Sequence, residues 1–148
     1  INNYFSMSSA SKIPVIVGNL AKIESREKET ETAIIEYIRA IGGWAQKLHS
    51  GSMFKSYSDR SGQIKQYRIK MADKGSPDII ACIKGRFFGI EVKRSKNEMD
   101  LWFQQKDQRS QAQKFQLEKI DQSGGAAIIT FSLDDFILLM EQSLKENT

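Results

Sequence analysis

The chain has almost no cysteine: one thiol, Cys82, in 148 residues. An internal disulfide and a cysteine-cluster zinc site are therefore excluded. Cys82 sits in the apolar run Ile79-Ile80-Ala81-Cys82-Ile83 and is expected as a small buried residue. Long hydrophobic runs are missing as well. No stretch approaches the roughly 20 apolar residues that span a bilayer, and no signal-peptide pattern is apparent. A cytoplasmic protein with no membrane partner is the expectation. Internal repeats and low-complexity blocks are absent. A chain that opens on Ile1 rather than Met is expected to be a processed product or a piece of something larger.

What is present suits a single domain, long enough to bury a core without covalent staples. A formal net charge of +4 favours an anionic partner, without separating nucleic acid from a membrane surface. Residues 1–24 open Ser-rich and pass through Ile13-Pro14-Val15-Ile16-Val17 with neither helical nor strand period. They read as a poorly ordered N-terminal extension of no assigned function, ahead of one domain over 25–148.

From Ser25 the pattern is helical, with Ile34, Ile35, Ile38 and Ile41 on one stripe and Gly42-Gly43 as the stop. Glu31 lies three and four positions before Ile34 and Ile35, so it extends the core-facing stripe, whereas Glu29 and Glu36 lie off it. Such a carboxylate is aimed as a metal ligand would be. Glu27, one turn earlier, is the second choice, and a solvated helix start favoured by the helix dipole is the plain alternative.

Residues 44–50 read as a short strand ending near the only histidine, His49, which either touches a phosphate or metal-bound water or is an ordinary surface residue. About 50–74 then form a long hairpin or flap, turning at Asp59-Arg60-Ser61-Gly62. In its return arm Tyr67, Ile69 and Met71 alternate with Arg68 and Lys70, so one apolar and one cationic face are expected. Lys47, Lys55, Arg60, Lys65, Arg68, Lys70 and Lys74 stand against Asp59 and Asp73, leaving +5 between 47 and 74, more than the whole-chain excess. Interleaved with Phe54, Tyr57 and Tyr67, these cations suit a grip on a nucleic-acid backbone. A solvated flap with incidental charge is the alternative.

The organising stretch is Gly75 to Arg94. Asp78 opens one probable strand, Lys84-Gly85-Arg86 makes a short turn, and Glu91 and Lys93 close the next strand. In a strand Glu91 and Lys93 share a face, roughly 6–7 Å apart, while Ile90 and Val92 face the other way. Charged groups on an apolar strand cost folding energy unless they are paired, hydrated or holding a metal. With the two strands side by side, Asp78 and Glu91 can converge on one hard cation, and Mg²⁺ takes one or two carboxylates plus waters and substrate phosphate. An Asp at a strand entrance beside a surface Glu/Lys pair is the plainer reading.

Residues 94–109 read as a connecting loop with at most one helical turn, whose Leu101, Trp102 and Phe103 either stack on a displaced base or pack over the core. Ser110-Gln111-Ala112-Gln113 reads as a capping box, Ser110 as N-cap, opening a helix with Gln113, Leu117 and Ile120 on one face. Ser123-Gly124-Gly125 ends it, residues 126–131 give a buried strand, and Ser132-Leu133-Asp134-Asp135 caps a last helix with Phe136, Ile137, Met140 and Leu144 inward. The order implies an α/β fold, a mixed sheet flanked by helices.

Pro77-Asp78 followed across a strand-turn-strand by Glu91-Val92-Lys93 resembles the PD-(D/E)XK nuclease signature. Together with Gly75-Ser76, Gly89-Ile90, Arg94, Ser110 to Gln113 and Gly124 to Ile129, it resembles the VRR-NUC branch of that superfamily, common in phages, from about Glu27 to Phe136. The resemblance implies a restriction-endonuclease-like αβββαβ core and a DNA endonuclease using Mg²⁺, with Mn²⁺ as substitute. Glu31, Asp78 and Glu91 are then the ligands of one or two ions, with the Val92 carbonyl as a further ligand. Lys93 orients a water or offsets phosphate charge. Gln113 borders the site, a role that competes with its local cap. Lys47, His49, Lys55, Arg60, Lys65, Arg68, Lys70, Lys74 and Arg94 are the expected DNA contacts. Similarity to Holliday-junction resolvases makes branched DNA the expected substrate and a homodimer the expected assembly. The alternatives are a non-catalytic nucleic-acid-binding module of the same fold and a sequence-specific restriction-type enzyme.

Overall fold

The computed structural model describes residues 20–146. Element order is α1 (Leu20–Ala40), β1 (Trp44–Lys47), β2 (Ser52–Ser58), β3 (Ile64–Lys70), β4 (Ile79–Ile83), β5 (Arg86–Val92), α2 (Lys96–Phe103), α3 (Gln108–Gln122), β6 (Ala126–Thr130) and α4 (Leu133–Glu146). The fold is mixed α/β, as the element pattern predicts. Of the expected N-terminal extension, residues 1–19 lie outside the described residues, and the chain is already helical at Leu20, ahead of the expected Ser25.

A four-stranded sheet runs in the order β1-β4-β5-β6, antiparallel except for the parallel β5–β6 pair. Strand alternation sorts its residues cleanly. Ile79, Ala81, Ile83, Phe88, Ile90, Val92 and Ile128 face α1 and α4, whose Ile34, Tyr37, Ile38, Phe136, Ile137 and Met140 complete the core. Phe88, Ile90, Val92, Ile34 and Phe136 are fully buried, each stabilising by about 1.5–3 kcal/mol. The β4–β5 hairpin turns through Lys84 (φ 50) and Gly85 (φ 78), successive left-handed residues that match the twist of the two strands.

The opposite sheet face carries α3, which approaches closely because glycines lie beneath it. A Cβ on Gly89 would stand 2.4 Å from Ile120 Cδ1, and one on Gly75 would stand 2.4 Å from the Ala112 backbone carbon. That cover is partial. Cys82, expected buried, is exposed, because it points away from the core, in register with Trp44 on one side and Phe87 on the other. Trp44 and Phe87 are exposed too.

Two local expectations are corrected. Residues 96–103 form a helix, not a loop with one turn: Ser95 is its N-cap, accepting from the Glu98 N–H, and Glu98 bonds back to Arg94. The N-cap of α3 is Asp107, not Ser110. The Asp107 carboxylate accepts from the Ser110 N–H at 2.7 Å and from its hydroxyl at 2.6 Å, which moves the cap one turn earlier. Gln113 is thereby freed from capping. The cap of α4 does follow the sequence pattern, the Asp135 N–H donating to Ser132 Oγ at 3.1 Å.

Among the described residues β2 and β3 pair only with each other, as a ribbon joined by the Asp59 turn, where Asp59 Oδ1 accepts from the Ser61 and Gln63 N–H groups. The expected division into an apolar and a cationic face does not hold. The register puts Lys55 and Lys65 on the side of Met53, Tyr57, Tyr67 and Ile69, and puts Phe54 and Ile64 on the side of Arg68 and Lys70. The mixing arises because cross-strand partners share a face, so each strand adds its own alternation to the other's.

Candidate metal centre and active site

Three elements carry carboxylates to one place. Along α1, Glu27 and Glu31 are one turn apart and on one face. Asp78 leads into β4, and the β4–β5 register, in which Ile79 pairs with Ile90, sets Asp78 opposite Glu91 when continued by one residue. One carboxylate oxygen from each of Glu27, Glu31 and Asp78 lies within 4.8 Å of the other two. Glu27, the second choice in the sequence, is thus a full member beside Glu31. Glu91 stands outside that trio, its carboxyl in contact with that of Asp78.

Asp78 is held in place by the Val92 N–H, which donates to its Oδ2 at 2.8 Å, while its own carbonyl accepts from Leu48 N–H at 2.8 Å. The Val92 N–H thus anchors the Asp78 carboxylate. Glu31 is 4% exposed, and its Oε2 lies 2.6 Å from the Lys47 ammonium. Lys47, expected among the backbone-gripping cations, is occupied with this carboxylate.

The side of the site under α3 is a connected polar network. Trp102 Nε1 donates to Gln113 Oε1 at 2.8 Å, Lys93 Nζ donates to the same oxygen at 3.2 Å, and Gln113 Nε2 donates to Glu91 Oε1 at 2.7 Å. The orientation of the amide is forced. An indole N–H and an ammonium can only donate, so the Gln113 oxygen must face them and its NH₂ must face the carboxylate. Lys93 is also 3.6 Å from Glu91 Oε1. Glu91 Oε2, on a residue 2% exposed, accepts from no donor among the described residues, and the Glu91 carboxyl meets that of Asp78.

The electrostatics follow from that burial. Desolvation, and then the neighbouring Asp78 carboxylate, push the Glu91 carboxyl up to about 9, against the opposing pull of Lys93 and Arg109. Glu27 is raised by burial first and then by Asp78, Glu98 and Glu31. The donor set fits a hard divalent cation: carboxylate oxygens converge, and like charges stand close enough together to raise both Glu27 and Glu91. Glu27, Glu31 and Asp78 are the residues that would hold it, with Glu91 adjoining.

Comparison of the sequence with protein-family models and with curated proteins finds no match. Two clefts flank Glu27. One, about 310 Å³, is lined by Glu31, Asp78, Lys47, His49 and Ser50; the other, about 470 Å³, by Lys93, Arg94, Trp102, Arg109, Ser110 and Gln113. His49 and Arg94 therefore border the carboxylates from opposite sides, and Arg94 is paired with Glu98 at 2.6 Å. Lys55, Arg60, Lys65, Arg68 and Lys70 belong to the ribbon and its turn, with Lys74 just beyond it.

Two participants escaped the sequence reading. Trp102 carried a signal, since a buried indole needs an acceptor for its N–H. Of Leu101, Trp102 and Phe103, Trp102 alone is buried. Arg109 carried none, because its approach to Glu91 depends on the true start of α3.

Proposed function

We propose that this chain is a divalent-metal-dependent nuclease that hydrolyses phosphodiester bonds in DNA, selective for branched structures such as a Holliday junction. The observation that carries the reading is the meeting of Glu27, Glu31 and Asp78 oxygens within 4.8 Å, beside a buried Glu91 carboxyl in contact with that of Asp78. The order α1, β1, β4, β5, α3, β6 supports a restriction-endonuclease-like αβββαβ core, with the β2–β3 ribbon as an insertion. This order and the Asp78, Glu91-Val92-Lys93 spacing support membership of the VRR-NUC branch of the PD-(D/E)XK superfamily.

Bound Mg²⁺, or Mn²⁺ in its place, would supply polarisation of a phosphoryl oxygen, a lowered water pKa and charge stabilisation at the leaving oxygen. The protein's own groups do the rest. The carboxylates of α1 and Asp78 provide the hard-oxygen shell. Lys93, held against Gln113 and Glu91 at 8% exposure, presents a fixed positive charge at the edge of the site, where it orients a water or offsets phosphate charge. Gln113 pins one Glu91 oxygen and leaves the other directed to its neighbours. His49, Arg94 and Arg109 edge the two clefts along which the strand flanking the scissile phosphate would lie. Cutting two strands of a junction symmetrically requires a homodimer.

The test is cleavage of junction, flap, linear duplex and single-stranded DNA in Mg²⁺, in Mn²⁺ and in EDTA. The expected result is metal-dependent cutting with a preference for branched DNA, lost by on the order of 10³-fold or more in Asp78→Asn. Cutting that survives both EDTA and Asp78→Asn would refute the proposal. Salt-sensitive binding indifferent to chelator, with no cutting of any substrate, would leave a binding module instead.

A further inference from the structure

The β2–β3 ribbon is not explained by the carboxylate site. Of its strand residues all but Ile69 are exposed, including Phe54, Tyr57, Ile64 and Tyr67. Between 52 and 70 it carries Lys55, Arg60, Lys65, Arg68 and Lys70 against Asp59 alone, a net charge equal to the +4 of the entire chain. Asp59 is spent within the turn, on Ser61, Gln63 and Lys65. A ribbon that rests on a flat partner would divide into a contact face and a solvent face. This one does not. Lys55 and Lys65 flank the Tyr57–Tyr67 ring pair, centroids 5.9 Å apart, on one face, and Arg68 and Lys70 accompany Phe54 and Ile64 on the other.

We propose that the ribbon enters the major groove of double-stranded DNA beside the cut site, each face meeting one phosphate wall. This rests on the nuclease reading above and names the form of nucleic acid that site receives. Two strands about 4.8 Å apart with side chains on both faces match a major groove about 12 Å wide, which admits a two-stranded β-ribbon. The strands reach roughly 20 Å, more than half a helical turn of B-form DNA. The A-form major groove of duplex RNA is too deep and narrow to be entered. Pairing of two ribbons from separate copies is disfavoured by their like charge. The root of the ribbon also fits: Ser50 bridges to Ala72, the Ala72 N–H donates to the His49 carbonyl, and His49 and Ser50 line the cleft with Glu31 and Asp78. A duplex held by the ribbon thus lies against the carboxylates.

The experiment is fluorescence anisotropy on a labelled duplex of about 20 base pairs in EDTA, so that nothing is cut. Lys55→Ala/Lys65→Ala removes the cations of one face and Arg68→Ala/Lys70→Ala those of the other; all four are exposed, and circular dichroism checks that the folds are kept. Each pair is expected to weaken binding about tenfold and to lower the slope of log affinity against log salt by about 2. RNA duplex of the same sequence should bind at least about tenfold more weakly and ignore both changes. Methyl green, which fills the major groove, should compete, and netropsin, which fills the minor groove, should not. Loss from one face only, equal binding of RNA, or competition by netropsin alone would overturn the proposal, as would variants that keep DNA affinity but lose self-association in sedimentation. Cutting by wild-type protein in Mg²⁺ is scored separately. Cutting with no effect of either pair on affinity sinks the groove proposal and spares the nuclease, whereas two-face dependence without cutting does the reverse.

Discussion

At the scale of single residues, the proposed function gives Glu91 opposite effects on stability and on cleavage. Its carboxyl sits at about 9 rather than 4.5 because burial, and then Asp78, oppose its charge. Without metal, the folded protein keeps a proton that the unfolded chain gives up above about pH 4.5. That contribution to stability is complete below the unfolded pKa and is lost as pH rises towards 9. Glu27 shifts in the same direction. In EDTA the melting temperature is therefore expected to fall between pH 5 and pH 9. Glu91→Gln keeps an acceptor for Gln113 Nε2, so it should flatten that fall while abolishing cleavage, as thermal melts and a cleavage assay would show. A melting temperature independent of pH in the wild type would contradict the burial argument. Trp102 is a positioning residue for the same network. Trp102→Phe keeps a ring but deletes the donor that fixes the Gln113 amide, at a stability cost of about 1 kcal/mol. Cleavage should fall about tenfold in the wild-type background and hardly at all in a Gln113→Ala background, a non-additivity that loss of packing alone would not produce.

At the scale of elements, the placement of α3 decides whether the site forms. Gly75 has φ +83, and an added Cβ would meet Ala112 backbone at 2.4 Å and Gln113 N at 2.8 Å; at Gly89 the 2.4 Å neighbour is the movable tip of Ile120. Gly75→Ala must displace the helix that carries Gln113, whereas Gly89→Ala needs only a side-chain shift. The expectation is that Gly75→Ala loses both stability and cleavage and that Gly89→Ala loses much less, as denaturant melts and rates would record. Phe136→Ala, a deletion from the core between α4 and the sheet, should cost about 3–5 kcal/mol. Elements with strong local signals were legible: the Ile34 and Ile38 stripe, the two strands around the Lys84-Gly85 turn, and the Ser132 cap. Those settled by competition were not. Asp107 outbid Ser110 for the α3 cap because both lie within one turn, and α2 was hidden by its polar composition although Ser95 and Glu98 stand at capping-box spacing.

At the scale of the whole molecule, the sequence yielded the sheet and the meeting of Glu31 with Asp78, because register and helical stripe are local rules that act across long separations. It did not yield the partition of the acids into a trio and a separate Glu91, nor the face composition of the ribbon, since both depend on how two elements settle against each other. The proposed grip of the ribbon on DNA is electrostatic, so cleavage measured below saturation should weaken steeply with added salt while its rate at saturation changes little. The central claim is that Glu27, Glu31 and Asp78 together hold a divalent cation, and calorimetric titration of Mn²⁺ into the metal-free protein at pH 8 tests it without reference to any substrate. The account expects saturable binding that Asp78→Asn removes and that Asp121→Asn, on the exposed end of α3, leaves intact. Absence of binding, or binding unchanged by Asp78→Asn, would contradict it.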